Sequence, residues 1–299
     1  MTNLNNKLII AGMGVFISII IISTLKGHLN IAFVRYNHPE LKSKETTTSP
    51  TYNPTVEIDN QNRPVDTCVQ NELLPIPKVS KFPEEGIPVL MFHSISTIPG
   101  NSLGVPVKQF NEEIEWLHQR KYQSLSLEEF YQALINKAPI PEKPILLTFD
   151  DGYSDNYSAA WPILRQYGFR ATFFISTNSV GPGMMNWDQL NDLARQQNSI
   201  GSHTVNHYDL ATLSTKQQNE ELSLSKTELE NHLGISVQAL CFPSGRYNKT
   251  TLELMPALGY RLGFTTKTGK VHLGDDLLSL KRLRISGGMS LTSFQKQFP

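Results

Sequence analysis

The sequence predicts an α/β fold in which strands and helices alternate around a parallel sheet or barrel. Three features point there. From about residue 85 onward, short apolar runs alternate with stretches of helical periodicity. Helix caps mark the joints between them. Chemistry-bearing residues cluster at the ends of the apolar runs, where parallel α/β folds place their sites.

Taken in order, residues 87–92 form an apolar run that ends at His93. Residues 107–121 put Phe110, Ile114 and Leu117 on one helical face. Ser126 and Glu129 frame a capping box for the helix carrying Phe130, Leu134 and Ile135. Residues 144–149, apolar after a proline, read as a buried strand ending at Asp150-Asp151-Gly152. The helix predicted over 159–167 stops at Gly168, before a strand at 171–175. Trp187 opens a helical stretch, and residues 198–202 form a short strand running into His203. Ser214 caps a long helix through Leu222, Leu229 and Leu233, which Gly234 ends. Asn248 starts another, ending near Gly259 ahead of a strand at 261–265. Residues 280–285 alternate apolar and basic, as an inward/outward strand does. The chain shows no internal repeat.

The N-terminus predicts a compartment. Residues 8–25 are uncharged and isoleucine-rich between Lys7 and Lys26. At ~1.5 Å per residue a helix of that length spans ~27 Å, enough for a bilayer core. No small-x-small cleavage pattern follows, so 1–35 is expected to be an uncleaved transmembrane signal anchor with the catalytic part extracytoplasmic. Residues 36–84 are polar and proline-punctuated and read as a flexible linker, leaving 85–299 as the catalytic domain. Lys and Arg total 27 against 27 Asp and Glu, with no basic block, which argues against a nucleic-acid partner. The two cysteines, Cys68 and Cys241, form no CxxC pair, so a thiolate zinc site is not expected. A disulfide between them and a buried free thiol at Cys241 are both open.

Two residue groups carry chemistry. Adjacent residues on extended backbone point opposite ways, so one of Asp150 and Asp151 can face a metal while the other approaches a reacting water. The bland alternative is an Asp-Gly turn. His203 and His207, four apart, can share an ion if they lie on one helical turn. Two imidazoles and one carboxylate make an open three-ligand site suited to catalytic zinc, with Co²⁺, Ni²⁺, Fe²⁺ or Mn²⁺ fitting similar geometry.

These elements, Thr148-Phe149-Asp150-Asp151-Gly152-Tyr153 and His203-Thr204-Val205-Asn206-His207, resemble the first two motifs of the polysaccharide deacetylases, carbohydrate esterase family four. Cys241-Phe242-Pro243-Ser244-Gly245-Arg246-Tyr247 is similar to the third, with Ser244 where an aromatic residue is usual. The resemblance runs from about Gly86 to the C-terminus. It implies a distorted (β/α) barrel of about seven strands, with Asp150 as general base and Asp151, His203 and His207 as metal ligands. It further implies that Pro243, Ser244 and Gly245 contact substrate, the Ser244 N–H as an oxyanion donor. Tyr153 and Trp187 are candidate sugar contacts, and Asp155 and Tyr157 lie close enough in sequence to reach the pocket.

The chain departs from the family pattern in having no arginine in the third motif. After that motif its one histidine is His272, in a polar stretch that reads as a surface loop. The early His93 and the late Arg282 resemble elements of the branch that de-N-acetylates poly-β-1,6-N-acetylglucosamine. His93 is therefore expected to be the general acid and Arg282 the orienter of Asp150, with Arg284 as its rival. For His93 the plain alternative is a strand-end histidine bonded to a carbonyl; for Arg282 it is a surface salt bridge. The expected function is metal-dependent removal of N-acetyl groups from an extracellular N-acetylglucosamine polymer, with poly-β-1,6-N-acetylglucosamine as the favoured substrate and Asp150 as the general base. Peptidoglycan, chitin oligomers or O-acetyl xylan as substrate, a peptide or imide amidase, and a non-catalytic glycan-binding protein are the competing readings.

Overall fold

Side-chain parity along the strands decides where everything sits. In Pro144–Phe149, Ile145, Leu147 and Phe149 join the layer packed under Phe110, Ile114 and Leu164 of surrounding helices. Leu146 instead meets Val89, Phe174, Ala239, Phe264 and Leu280 in a separate inner cluster. A strand that is apolar on both faces needs cover on both, which a closed barrel ringed by helices supplies.

The computed structural model describes residues 7–13, 16–25, 28–35 and 79–298. The chain divides into two units, Met1–Gln70 and Asn71–Pro299. In the second, seven parallel strands close in sequence order: β1 (Val89–Phe92), β2 (Pro144–Phe149), β3 (Thr172–Ile175), β4 (Ser199–Ser202), β5 (Ala239–Cys241), β6 (Leu262–Thr268) and β7 (Leu280–Arg284). β7 pairs with β1, and β1 with β2, which completes the ring. Around it run α1 (Val107–Gln119), α2 (Leu127–Asn136), α3 (Trp161–Gln166), α4 (Trp187–Arg195), α5 (Thr215–Leu233), α6 (Lys249–Ala257) and α7 (Leu291–Gln295). The expected seven-stranded α/β barrel is the observed fold.

The cap signals act as their chemistry requires. Ser126, Ser214 and Asn248 each accept from the backbone N–H three residues on, in a reciprocal box. Asn186 does the same for α4. Gly234 ends α5 in the left-handed region at φ 64°.

The barrel is filled in layers. Phe130 of α2 stacks on Phe264 at 6.3 Å, and Phe264 meets Phe174 at 5.2 Å. Gly201 of β4 makes room for this, since a Cβ there would lie 2.5 Å from the Phe174 ring. Above the apolar layers comes a polar one, with Arg282 over the Phe174 ring at 6.0 Å. On the outside, Phe92, Phe149 and Phe173 stack along the ends of β1, β2 and β3 at 5.2 and 5.1 Å, with Phe110 edge-on. Each outward ring of β1 and β2 precedes a residue that parity turns inward: His93 and Asp150. Truncating such a ring costs about 3–5 kcal/mol and would free those strand ends.

Two expectations need correction. Of the stretch predicted as a spanning helix, 8–25, the described residues lie in antiparallel strands Lys7–Met13 and Phe16–Leu25, the second also paired with His28–Arg35. Isoleucine is β-branched and favours strands, and an apolar run alone does not separate the two states. Among the described residues no helix is long and apolar enough to cross a membrane. The end of the predicted linker is structured too: Val79–Ser80 pairs with Ile140–Pro141. Most of the linker, with Cys68, lies outside the described residues.

Glu113 on α1 is fully buried; Oε1 accepts from Gln109, and Oε2 has no hydrogen-bond partner. Burial pushes its carboxyl up to about 7. The folded state therefore holds a proton that the unfolded chain releases near 4.5, so stability is full below that pH and falls as pH rises to about 7. The loss is about 3 kcal/mol. Urea unfolding between pH 4.5 and 8 should show this fall in the wild type and a much flatter profile in Glu113→Gln.

Candidate active site

The chemical groups of interest sit at the C-terminal mouth of the barrel, on β5 and β7 themselves or in the segments that follow β1, β2 and β4. β2 delivers Asp150 inward, its N–H bonded to the Phe92 carbonyl at 3.0 Å. Arg282 reaches it from β7, Nη1 donating to Oδ1 at 2.8 Å and Nη2 to Oδ2 at 2.7 Å. The guanidinium is fully buried and also donates to the Thr265 carbonyl, the Thr148 hydroxyl and the Cys241 sulfur. Burial alone would push the Asp150 carboxyl up; the Arg282 charge and hydrogen bonds overcome it and hold Asp150 ionised, below the ordinary carboxylate range. The rival Arg284 is exposed at the end of β7.

Asp151 departs from the extended geometry that the sequence suggests. It adopts φ 74°, followed by Gly152 at φ 85°, so the strand folds over at once and both carboxylates stay at the mouth. His203 and His207 likewise do not share a helical turn. They flank an irregular loop in which Thr204 and His207 have φ 68° and 58°. Non-glycine residues held at positive φ are uncommon and strained. Asp151, Thr204, His207 and Ser244, at φ 55°, place four of them around one opening.

The turn brings three groups together. Nε2 of His203 and Nε2 of His207 each lie 3.3 Å from Asp151 Oδ1. Nδ1 of His203 donates to the Cys241 carbonyl at 2.7 Å, which leaves Nε2 unprotonated and facing the group in neutral imidazole. Asp151 Oδ1 is buried without a hydrogen-bond partner. Donors ~2.0–2.1 Å from a tetrahedral ion are about 3.3 Å apart, so these residues fit a divalent cation. Asp150, His203 and Cys241 are a second convergent set. There both Asp150 oxygens are taken by Arg282, and burial pushes the Cys241 thiol up, so we assign the first.

His93 ends β1 with Nε2 3.9 Å from Asp150 Oδ2. Its Nδ1 is buried and has no hydrogen-bond partner, unlike the carbonyl-bonded strand-end histidine of the plain alternative. Burial lowers its imidazole, outweighing the two nearby aspartates. From β5, Pro243–Gly245 forms a tight turn in which Gly245 is obligatory: a Cβ there would meet Thr266 Oγ1 at 2.1 Å. Tyr153 is half-buried beside Asp151, which helps push its phenol up, after burial itself. Trp187 is not among these groups: its ring stacks on His232 of α5 at 4.0 Å and 9°, a contact between helices. Tyr157 bonds Asp192 on α4. Cys241 is a buried free thiol, and His272 is exposed, as expected of a loop residue.

Comparison with known proteins agrees with the geometry. A family model described as polysaccharide deacetylase matches residues 137–263. YxkH of Bacillus subtilis (strain 168) is 39% identical over 209 residues, 70% of this chain and 74% of that protein. The chain belongs to the polysaccharide deacetylase family. It is a hydrolase of that family, and the solved Streptococcus pyogenes deacetylase PplD, in complex with acetate, is 34% identical to it. That alignment has a TM-score of 0.68 and covers 72% of this chain and 98% of the other. The Escherichia coli K12 poly-beta-1,6-N-acetyl-D-glucosamine N-deacetylase is 24% identical over 262 residues, and the match spans 72% of this chain but 39% of that longer protein.

Sequence reasoning placed Asp155 near the pocket without a role and missed Glu221 and Asn156, which with it hold this polysaccharide deacetylase site in shape. Glu221, buried on α5, accepts the N–H groups of Val205 and Asn206 at 2.9 and 2.8 Å and the Asn206 amide at 2.6 Å. It anchors the strained loop between the two histidines. Asp155 accepts from Ser94 Oγ and Ile95 N at 2.6 and 2.8 Å, and Asn156 donates to the His93 carbonyl at 2.7 Å. Both stand beside a π turn, Asn156–Ala160, ahead of α3. A glutamate next to Leu222, on the face of α5 that Leu229 also marks as buried, was the available signal. Glu221→Ala should lower metal affinity about 10–100-fold by chelator competition, while circular dichroism stays that of the folded barrel. Unchanged affinity would remove Glu221 from the site.

Proposed function

We propose that this protein removes N-acetyl groups from an N-acetylglucosamine polymer, with poly-β-1,6-N-acetylglucosamine as the substrate. The observation that carries the reading is an ionised carboxylate, Asp150, clamped by Arg282 and left off the Asp151–His203–His207 group beside it. A base and a cation site held apart yet adjacent are what amide hydrolysis by water requires.

A divalent ion, zinc first among those that suit two imidazoles and a carboxylate, would lower the pKa of a water at the mouth from 15.7 to about 7. Asp150 takes a proton from the attacking water. Arg282 holds both carboxylate oxygens, Oδ2 also accepts from the Cys241 thiol, and Oδ1 keeps a second lone pair for that proton. The acetyl carbonyl becomes tetrahedral, and the Ser244 N–H is the backbone donor for its oxygen. His93, neutral in its buried place and 3.9 Å from Asp150, receives the proton and passes it to the nitrogen. The C–N bond breaks, releasing acetate and a free amine.

The choice of polymer rests on the matches to poly-beta-1,6-N-acetyl-D-glucosamine N-deacetylases of Escherichia coli and staphylococci at 23–26% identity. It rests also on an orienting arginine supplied by β7 rather than by the third motif. Acetate release from β-1,6 oligomers, exceeding that from β-1,4 oligomers and abolished by chelator, is the expected result. Equal or greater turnover of β-1,4 oligomers would reassign the polymer. Asp150→Asn should cut the rate about 10²–10⁴-fold while leaving metal content unchanged; an unaffected rate would sink Asp150 as the base.

A catalyst for such a polymer belongs outside the cytoplasm, and we propose that the apolar stretch 8–25 directs it there. Fractionation of cells expressing the full chain should find it in the envelope or medium; purely cytosolic protein would overturn this.

A further inference from the structure

Beside the metal-ligand loop lies a cleft of about 260 Å³ that the chemistry above does not use. One wall is the loop itself, Val205, Asn206 and Tyr208, the last following His207 directly. The other is one stripe of α5: Gln217, Glu220, Glu221 and Leu224 recur at helical i, i+3, i+4, i+7 spacing, with Leu213 at the end. Its composition is unusual for a soluble surface. Tyr208 is 54% exposed and Leu224 57%, two of the five large hydrophobic residues left exposed among the described residues.

An exposed ring and an exposed leucine lining one cleft together with carboxamide and carboxylate groups make an amphipathic slot. Sugar rings are amphipathic in the same way, with C–H faces that lie on aromatic or aliphatic side chains and hydroxyl edges that need acceptors and donors. The volume lies under the ~300 Å³ at which sites for larger ligands begin, so it suits one ring of a chain that continues into solvent. Glu221 ties the cleft to the site: its carboxylate holds the histidine loop while its flank lines the cleft. Tyr208 follows His207 directly, so a polymer with one unit at the mouth can lay a more distant unit along this wall.

Building on the deacetylase reading, we propose that the cleft between Tyr208 and Leu224 is a subsite for a pyranose unit beyond the first neighbour of the unit at the mouth, out of a dimer's reach, with Tyr208 as its stacking platform. The subsite makes the enzyme prefer long chains. It acts on substrate position and leaves the bond-breaking groups untouched.

The test compares N-acetylglucosamine dimer with hexamer, measuring kcat/KM by acetate release and, separately, Kd by calorimetric titration of the metal-loaded full chain. The hexamer-to-dimer ratio of kcat/KM should fall about 3- to 10-fold in Tyr208→Ala and hold in Tyr208→Phe, which keeps the ring. Leu224→Ser should lower it from the opposite wall. Taking the ratio cancels any general effect on His207 next door. An unchanged ratio in both Tyr208→Ala and Leu224→Ser overturns the subsite, as does equal loss on dimer and hexamer. If the wild type releases no acetate from either oligomer, the deacetylase reading fails instead. The Kd ratio then decides the subsite alone: selective weakening of hexamer binding in Tyr208→Ala supports it, and no change overturns it.

Discussion

The molecule is organised around the buried ion pair of Asp150 and Arg282. Bringing two charges into a barrel costs several kcal/mol per ion after relaxation, and the cost is tolerated because the guanidinium is completely satisfied. Nε donates to Thr265, Nη1 to Thr148 and Asp150, and Nη2 to Asp150 and Cys241. Those partners come from β6, β2 and β5, so one side chain ties together strands from around the ring. Removing either charge would strand the other, which makes the pair a constraint on the whole polar layer.

That constraint explains the residue at Cys241. A second large cation there would crowd Arg282 and repel it. A small, polarisable thiol accepts from Nη2 and donates to Asp150 Oδ2 at 3.4 Å. The Cys241 carbonyl meanwhile fixes the His203 ring. One short residue thus touches both the base and the cation site. The apolar layers beneath matter for the same reason: Phe174 and Phe264 exclude water from below, which strengthens every charge interaction above them.

Strain is concentrated at the mouth and supported from outside it. Asp151, Thr204, His207 and Ser244 all sit at positive φ, a cost of order 1–3 kcal/mol each. Glu221 holds the histidine loop through two backbone N–H groups, and the Thr204 hydroxyl accepts from the His207 N–H at 3.0 Å. Asp155 and Asn156 do the same for the turn after β1. The geometry at the mouth is therefore set in part by residues that take no part in breaking the bond.

Local signals in the chain were sufficient for the barrel's elements and for the residue types of the site. Apolar period, Ser and Asn caps and glycine stops act within a turn or two, so α5 and β2 could be placed from neighbours alone. What they could not decide was direction. Extended backbone was expected at Asp151 and a helical turn at His203 to His207, and both are left-handed turns, because tertiary hydrogen bonds outweigh local preference there. The β-branched run at 8–25 carries no period that separates strand from helix, so it misled in the same way. Arg282 and Asp150 are 132 residues apart, and no spacing rule links them. Only closure of β7 onto β1 carries the guanidinium to the carboxylate, and only the packing of α5 against the loop makes Glu221 part of the site.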